Sequence, residues 1–149
     1  MAEISYFAIE ETIKDILVTD PRSKFLNNQK VAYDVEEKLN NLPDKCPWCG
    51  IYLMSWDSPQ DEQRIGGTTP TLTDLTIRLR MYEFGLEIRR AAQNRDLFLA
   101  KVKEVLKGKR NLNNKVLITQ FGGGEYENGQ TSEGFFLGVS LDLICEVRE

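Results

Sequence analysis

The sequence predicts a single α+β domain, with an N-terminal helix and a central helix packed on one face of a mainly antiparallel sheet. Two segments carry apolar residues at helical spacing, and two longer segments alternate apolar and polar residues. The two kinds of segment are interspersed along the chain. The length of 149 residues suits one ordinary domain (1–149), and no repeat, low-complexity segment or linker divides it.

Two helices are predicted, each with one apolar stripe. The first begins at Tyr6, and Asp20-Pro21 ends it because proline disfavours helix in the residue before it. Its stripe consists of Ile9, Ile13, Ile16 and Leu17. The stripe of the second helix consists of Ile88, Ala91, Ala92, Leu99, Val102, Val105 and Leu106. Gly108 follows as its C-terminal cap.

Two long segments have the alternation that is typical of half-buried antiparallel strands. Residues 72–84 place Leu75, Ile77, Leu79 and Met81 on one side, and Thr76, Arg78, Arg80 and Tyr82 on the other. Residues 135–148 alternate in the same way. We expect the arginine side to face water or a partner. Shorter strands are predicted at residues 50–56 and 115–121.

Turn-forming residues mark the connecting segments. Residues 57–70 are polar and predict an exposed loop, and residues 122–134 predict a glycine-rich loop or hairpin tip between two strands. The segment 22–49 stays open at this point. Val31, Tyr33 and Val35 alternate as in a strand, whereas residues 35–42 could form a short helix.

Charge and hydropathy argue against two classes of protein. The formal net charge of −4 lacks the basic character of a dedicated nucleic-acid binder. No apolar run approaches the roughly 18 residues of a membrane span, and Glu3 stands where a secretory signal would carry bases. We therefore expect a cytosolic protein with no membrane partner and with its three cysteines reduced.

Cys46-Pro47-Trp48-Cys49 has the spacing at which two thiolates share a zinc ion or form a redox disulfide. Structural zinc needs four ligands, but only Cys145 remains and the chain contains no histidine. We favour structural cysteines beside a packing tryptophan. A small zinc or redox protein remains the alternative from another functional class.

Other catalytic chemistry finds little support in the sequence. Without histidine, serine–histidine and cysteine–histidine catalysis are excluded, and nothing fixes two carboxylates at a working separation. Gly122-Gly123-Gly124 lacks the lysine and hydroxyl residue of a phosphate loop, and Glu125 and Glu127 would repel phosphate. We expect no enzyme, no cofactor and no metal site.

The order of these elements and their residue patterns resemble those of the tail-terminator (neck or minor tail) proteins of long-tailed bacteriophages. The resemblance covers the helix at residues 4–18, and the strand at 51–56 that leads through Asp57-Ser58-Pro59 into the alternating residues 72–82. It continues through the helix ending at Gly108 and closes with the long strand ending at Arg148. The length of the segment 22–49, with its two cysteines, departs from the family's pattern.

The resemblance implies a structural virion protein, located in the tail or neck and assembled in the host cytoplasm. In this family, subunits form a hexameric ring that caps the tail tube, ends its polymerisation and joins it to the head connector. The implied partners are further copies of the chain, the tail tube protein and the head–tail connector or stopper protein. A head-completion or connector-adaptor protein of the neck, on the portal side, is the alternative.

Under this reading, the segments 57–70 and 122–134 protrude toward neighbouring ring proteins. Carboxylates line the lumen, so that DNA passes without specific binding. Tyr82 and Phe136 lie opposite the apolar faces of their strands and are candidates for buried contacts in an oligomer. The predicted interface residues are Asp57, Asp61, Arg64, Arg78, Arg80, Tyr82, Glu125, Tyr126 and Glu127.

Overall fold

A computed structural model describes residues 5–23, 25–26, 30–33, 46–57 and 72–148. The helices are α1 (Tyr6–Thr19) and α2 (Ile88–Lys107), and a short 3-10 helix (Pro21–Ser23) follows α1. The strands are β1 (Val31–Tyr33), β2 (Trp48–Asp57), β3 (Leu72–Gly85), β4 (Ile118–Phe121), β5 (Tyr126–Thr131) and β6 (Gly134–Arg148). This mostly antiparallel sheet with two helices confirms the predicted α+β class.

The sheet is built around the long antiparallel pair β3–β6. Its order is β1-β2-β3-β6-β4, and β1 is parallel to β2 while the other pairs are antiparallel. β4 lies opposite residues 143–146 of β6, and β5 lies opposite residues 134–139 on the same side. β4 and β5 together therefore form one edge of the sheet.

Both helices pack on the same face of the sheet, which we call the helix face. Alternate residues of β3 and β6, among them Ile77 and Leu141, meet the buried residues of α1 and α2 there. The predicted stripes are largely confirmed, except that Ile88 is exposed and that the buried Phe98 was missed. Neither helix in the described ranges has the length and hydrophobicity needed to cross a membrane.

The opposite face, which we call the outer face, carries a second cluster made of Trp48, Tyr82 and Phe136. The Trp48 and Tyr82 rings lie 5.8 Å apart, and both Tyr82 and Phe136 are buried within the chain. A side chain that is already buried within one chain is not available to pack against a neighbouring subunit. The prediction that these two rings make buried contacts in an oligomer is therefore wrong.

The segment 122–134 is not the predicted loop, because it contains β5. The residues before β5 also bond to β6. Gly122 N–H donates to the carbonyl of Asp142 (2.7 Å), Asp142 N–H donates to Gly123 (3.0 Å), and Ser140 N–H donates to Glu125 (2.8 Å). Backbone pairing holds this polar, glycine-rich stretch along β6 even though it has no apolar alternation.

Smaller differences concern the ends of elements. The strand predicted at residues 115–121 begins only at Ile118, because Leu112, Asn113 and Asn114 turn the chain with positive φ values of 46, 55 and 69°. Gly108 does end α2, but with right-handed backbone angles. Val31 and Tyr33 belong to β1, as their alternation suggested. The predicted loop beyond Asp57, and the segment 34–45, lie outside the described residues.

Candidate functional site

The outer face contains a pocket of about 270 Å³ between β3 and the β5 edge, which we call the polar pocket. It is lined by Arg78, Arg80, Tyr82, Glu125, Tyr126, Glu127, Val139 and Ser140. β3 supplies the arginines because its even-numbered residues point away from the helices. The structure thus brings together most of the predicted interface residues.

Arg78 is fixed by an ion pair across the β3–β6 pair. Its Nε donates to Asp142 Oδ1 at 2.8 Å and its Nη2 donates to Asp142 Oδ2 at 3.2 Å. The two residues are direct register partners, and both side chains are partly buried. The bond to Asp142 raises the pKa of Arg78. This bidentate contact fixes the orientation of the Arg78 guanidinium on this side of the pocket.

Tyr82 connects the second cluster to the polar pocket. Its ring is buried, and its hydroxyl donates to Glu127 Oε2 at 2.8 Å. Burial raises the pKa of the Tyr82 phenol, and the bond to Glu127 adds to the increase. The phenol therefore stays protonated and acts as a fixed donor, not as a base.

The remaining lining residues place charge and aromatic surface around the pocket. The guanidinium of Arg80 lies 5.2 Å from the centre of the Tyr52 ring. Tyr126 is exposed, and the guanidinium of Arg95 in α2 lies 4.7 Å from its ring. With Glu125, the pocket presents charges of both signs, which suits recognition of another charged surface.

The other predicted interface residues are separate from this pocket. Asp57 is exposed at the end of β2 and pairs in register with Asp74, four residues along β3 from Arg78, a separation of about 13 Å. Asp61 and Arg64 lie outside the described residues. Asp142 was missed, although opposed alternation in the two long strands was the signal that could have paired it with an arginine.

The two cysteines of the Cys-Pro-Trp-Cys segment serve different parts of the packing. Cys49 lies in β2 and is buried in the core on the helix face, whereas Cys46 is half-buried beside the second cluster. Burial raises the pKa of each thiol to about 12. Thiolates are the metal-binding and nucleophilic form, so this environment favours the packing interpretation. Among the described side chains, no group of three or more potential ligands is placed to hold a metal ion.

Glu83 gives a testable dependence of stability on pH. It lines an apolar recess beside Phe25 and Phe98, and burial raises its pKa from 4.5 to about 7, while Lys30 opposes the increase. Between these two pH values the folded chain binds more protons than the unfolded chain. The contribution of Glu83 to stability therefore falls as pH rises from 4.5 to 7, by about 2 kcal/mol when partial exposure is allowed for, and is constant above pH 7.

The variant Glu83→Gln should lack this part of the pH dependence. In urea denaturation it should match the wild type at pH 4.5 and exceed its stability above pH 7 by about 2 kcal/mol. Glu87→Gln, which changes an exposed carboxyl nearby, should keep the wild-type profile. A parallel pH profile for Glu83→Gln and the wild type would contradict the assignment.

No protein-family model matches the sequence, and no curated protein matches it at a significant level. Among solved structures, the chain is similar to one from the virion of a native gene transfer agent (GTA) particle. The sequence identity is 10%, the match covers 97% of this chain and 100% of that chain, and the TM-score is 0.47. A likeness of this strength supports no argument about function.

Proposed function

We propose that the protein is a structural component of a phage-like virion, which forms a hexameric ring that caps the tail tube, ends its polymerisation and joins it to the head connector. The observation that best supports this is the polar pocket, where the Arg78–Asp142 and Tyr82–Glu127 contacts lie beside the open charges of Arg80 and Glu125 on the outer face. The order of the elements, which resembles that of tail terminators, points in the same direction.

The chemistry of the described residues favours a binding surface over an enzyme. Arg78 is engaged by Asp142, the phenol of Tyr82 stays protonated, and the cysteine thiols have raised pKa values. A reaction centre would need a group poised to gain or lose a proton near its working pH, and Glu83, whose pKa is about 7, lines the apolar recess beside Phe98 and not the polar pocket. We therefore propose no catalytic activity and no cofactor.

The proposed partners follow from the same role. Copies of the chain form the ring, the tail tube protein binds one face, and the connector or stopper protein binds the other. DNA passes through the lumen without specific binding, since the net charge of −4 gives no general attraction to phosphate. Assembly in the host cytoplasm and a final location in the tail or neck complete the proposal.

Capping of tail tubes tests the proposal directly. Short tail tubes mixed with the protein should show a six-fold cap at one end in negative-stain images, and should stop elongating. The double variant Arg80→Ala with Glu125→Ala should cap roughly tenfold more weakly, because it removes open charges of the pocket while sparing the Arg78–Asp142 pair.

The variant Glu11→Ala, exposed on α1, is the matched control and should cap as the wild type does. If the protein does not bind tail tubes but binds the portal-side connector, it is a connector adaptor and not a tail terminator. Stoichiometric zinc in the purified protein would instead favour the alternative centred on Cys46 and Cys49.

A further inference from the structure

The sheet edge formed by β4 has backbone groups that point away from the rest of the sheet. Gly122 N–H donates to the carbonyl of Asp142 on β6 (2.7 Å), and Gln120, two residues earlier, has the same orientation. Alternate residues of an antiparallel strand bond to opposite sides, so Thr119 and Phe121 direct their N–H and C=O groups away from β6. Within the described ranges the sheet order ends at β4. An open edge of this kind can accept a further strand.

Two neighbouring pockets lie between this edge and consecutive turns of α2, and together we call them the α2–β4 groove. One, of about 170 Å³, is lined by Leu99 and Lys103 and by residues 122–124. The other, of about 470 Å³, is lined by Lys107 and Arg110 and by β4. From the first pocket to the end of α2 the helix rises about 12 Å, which is the length of about four residues of an extended chain.

Three cations line the groove on one face of the sheet. α2 packs on the helix face, and Phe121 points to the same face because its register partner Leu143 belongs to the core there. Lys103 and Lys107 are four residues apart on α2 and so project to the same side, and Arg110 shares a pocket with Lys107. All three are exposed, and no carboxylate of the described residues forms an ion pair with them. The groove is therefore basic, although the whole chain has a net charge of −4.

We propose that the α2–β4 groove binds an extended, acidic segment of another protein, which adds to β4 as a further strand. The backbone of the segment bonds to the open groups of Thr119 and Phe121. Its acidic side chains on the helix face meet the three cations, and an apolar side chain between them enters the pocket between α2 and β4. This interaction does not depend on the proposed function.

The chemistry of the groove favours a different polypeptide as the occupant. Open backbone groups are matched by another backbone, and an apolar pocket is matched by a side chain, whereas the phosphates of a nucleic acid would use the cations alone. Antiparallel pairing with the same edge of a second copy would place α2 of both copies on one face. The two sets of cations would then repel each other.

Fluorescence anisotropy with a labelled peptide tests the inference. The probe is a short synthetic peptide in which glutamate, leucine and glutamate alternate with threonine, so that an extended chain presents these three side chains to one side. It should bind the wild-type protein saturably. The same peptide with lysine in place of glutamate should bind at least roughly tenfold more weakly, because it brings like charges to the groove. A probe that does not bind would overturn the inference.

Two methylated forms of the probe test the addition of a strand. One carries N-methyl groups on its threonines, and the other carries them on the remaining residues. Only one of these alternating sets of amides can face β4. One form should therefore bind like the unmodified probe and the other roughly tenfold more weakly. Equal affinity of the two forms would contradict pairing through the backbone.

A pair of charge reversals on α2 locates the probe. Lys107→Glu should weaken its binding roughly tenfold, because it places a carboxylate in the groove. Lys101→Glu makes the same change of net charge at an exposed position that lines the apolar recess beside Phe98 instead, and it should bind as the wild type does. Equal weakening by both variants would show that the probe responds to net charge and not to the groove.

Two further results would assign the groove to another occupant and overturn the inference. The first is self-association of the wild type that the probe reverses and that Lys107→Glu abolishes, as expected for a second copy. The second is displacement of the probe by a single-stranded DNA oligonucleotide, as expected for phosphate recognition. Because none of these measurements uses tail tubes, a protein that binds the probe but does not cap tubes would refute the proposed function alone.

Discussion

Replacing Trp48 by alanine is expected to lower the free energy of unfolding by about 4 kcal/mol. The side chain is 2% exposed and packs against Tyr82 in the second cluster. Within the described residues no helix packs on this outer face, so little surrounding structure can move into the space that the indole leaves. Denaturation in urea, followed by far-ultraviolet circular dichroism, measures the loss.

The other tryptophan of the chain provides a matched control. Trp56 is 66% exposed, so Trp56→Ala should change the free energy of unfolding by no more than about 0.5 kcal/mol. Equal losses at the two positions would show that the second cluster does not stabilise the outer face as its burial indicates.

Gly124→Ala is expected to destabilise the fold by about 3 kcal/mol. A Cβ atom at this position would collide with the backbone carbonyl oxygen of Ser140 on β6. That carbonyl belongs to the central strand and cannot move without displacing the pairs around it. Thermal denaturation should therefore show a clear drop in Tm for this variant.

The adjacent glycine is the control, because a Cβ atom at Gly123 would meet nothing within 4 Å. Gly123→Ala should leave Tm nearly unchanged. A comparable loss at both positions would mean that the segment between β4 and β5 needs glycine for backbone freedom in general, and not for close approach to β6 at one residue.

The long strands were predictable because each buries a continuous row of apolar residues on the helix face, whereas burial of their outer face centres on Tyr82 and Phe136. The apolar residues from Leu75 to Met81 alternate with polar residues, and this periodicity can be recognised without knowing how the side chains pack. β5 was not predictable, since Tyr126–Thr131 is polar and pairs with β6 through its backbone. The turn at Leu112 was missed for a related reason: a buried leucine with positive φ contradicts the local preference of the residue.

The candidate site was predictable in composition but not in pairing. Alternation placed Arg78, Arg80 and Tyr82 on the side away from the core, and the structure confirms that orientation. Which acid meets Arg78 depends on the register between β3 and β6, and a single sequence does not determine that register. Burial of the Tyr82 ring likewise depends on Trp48, which comes from a separate strand.

The distance along the chain between β3 and β6 has a kinetic consequence. Arg78 and Asp142, which face each other at the centre of the sheet, are 64 residues apart in sequence. Bringing such distant segments together costs loop-closure entropy before any contact compensates for it. The tight hairpin of β5 and β6 can form early, whereas the pairing of β3 with β6 forms later. We therefore expect this long-range step to limit the folding rate.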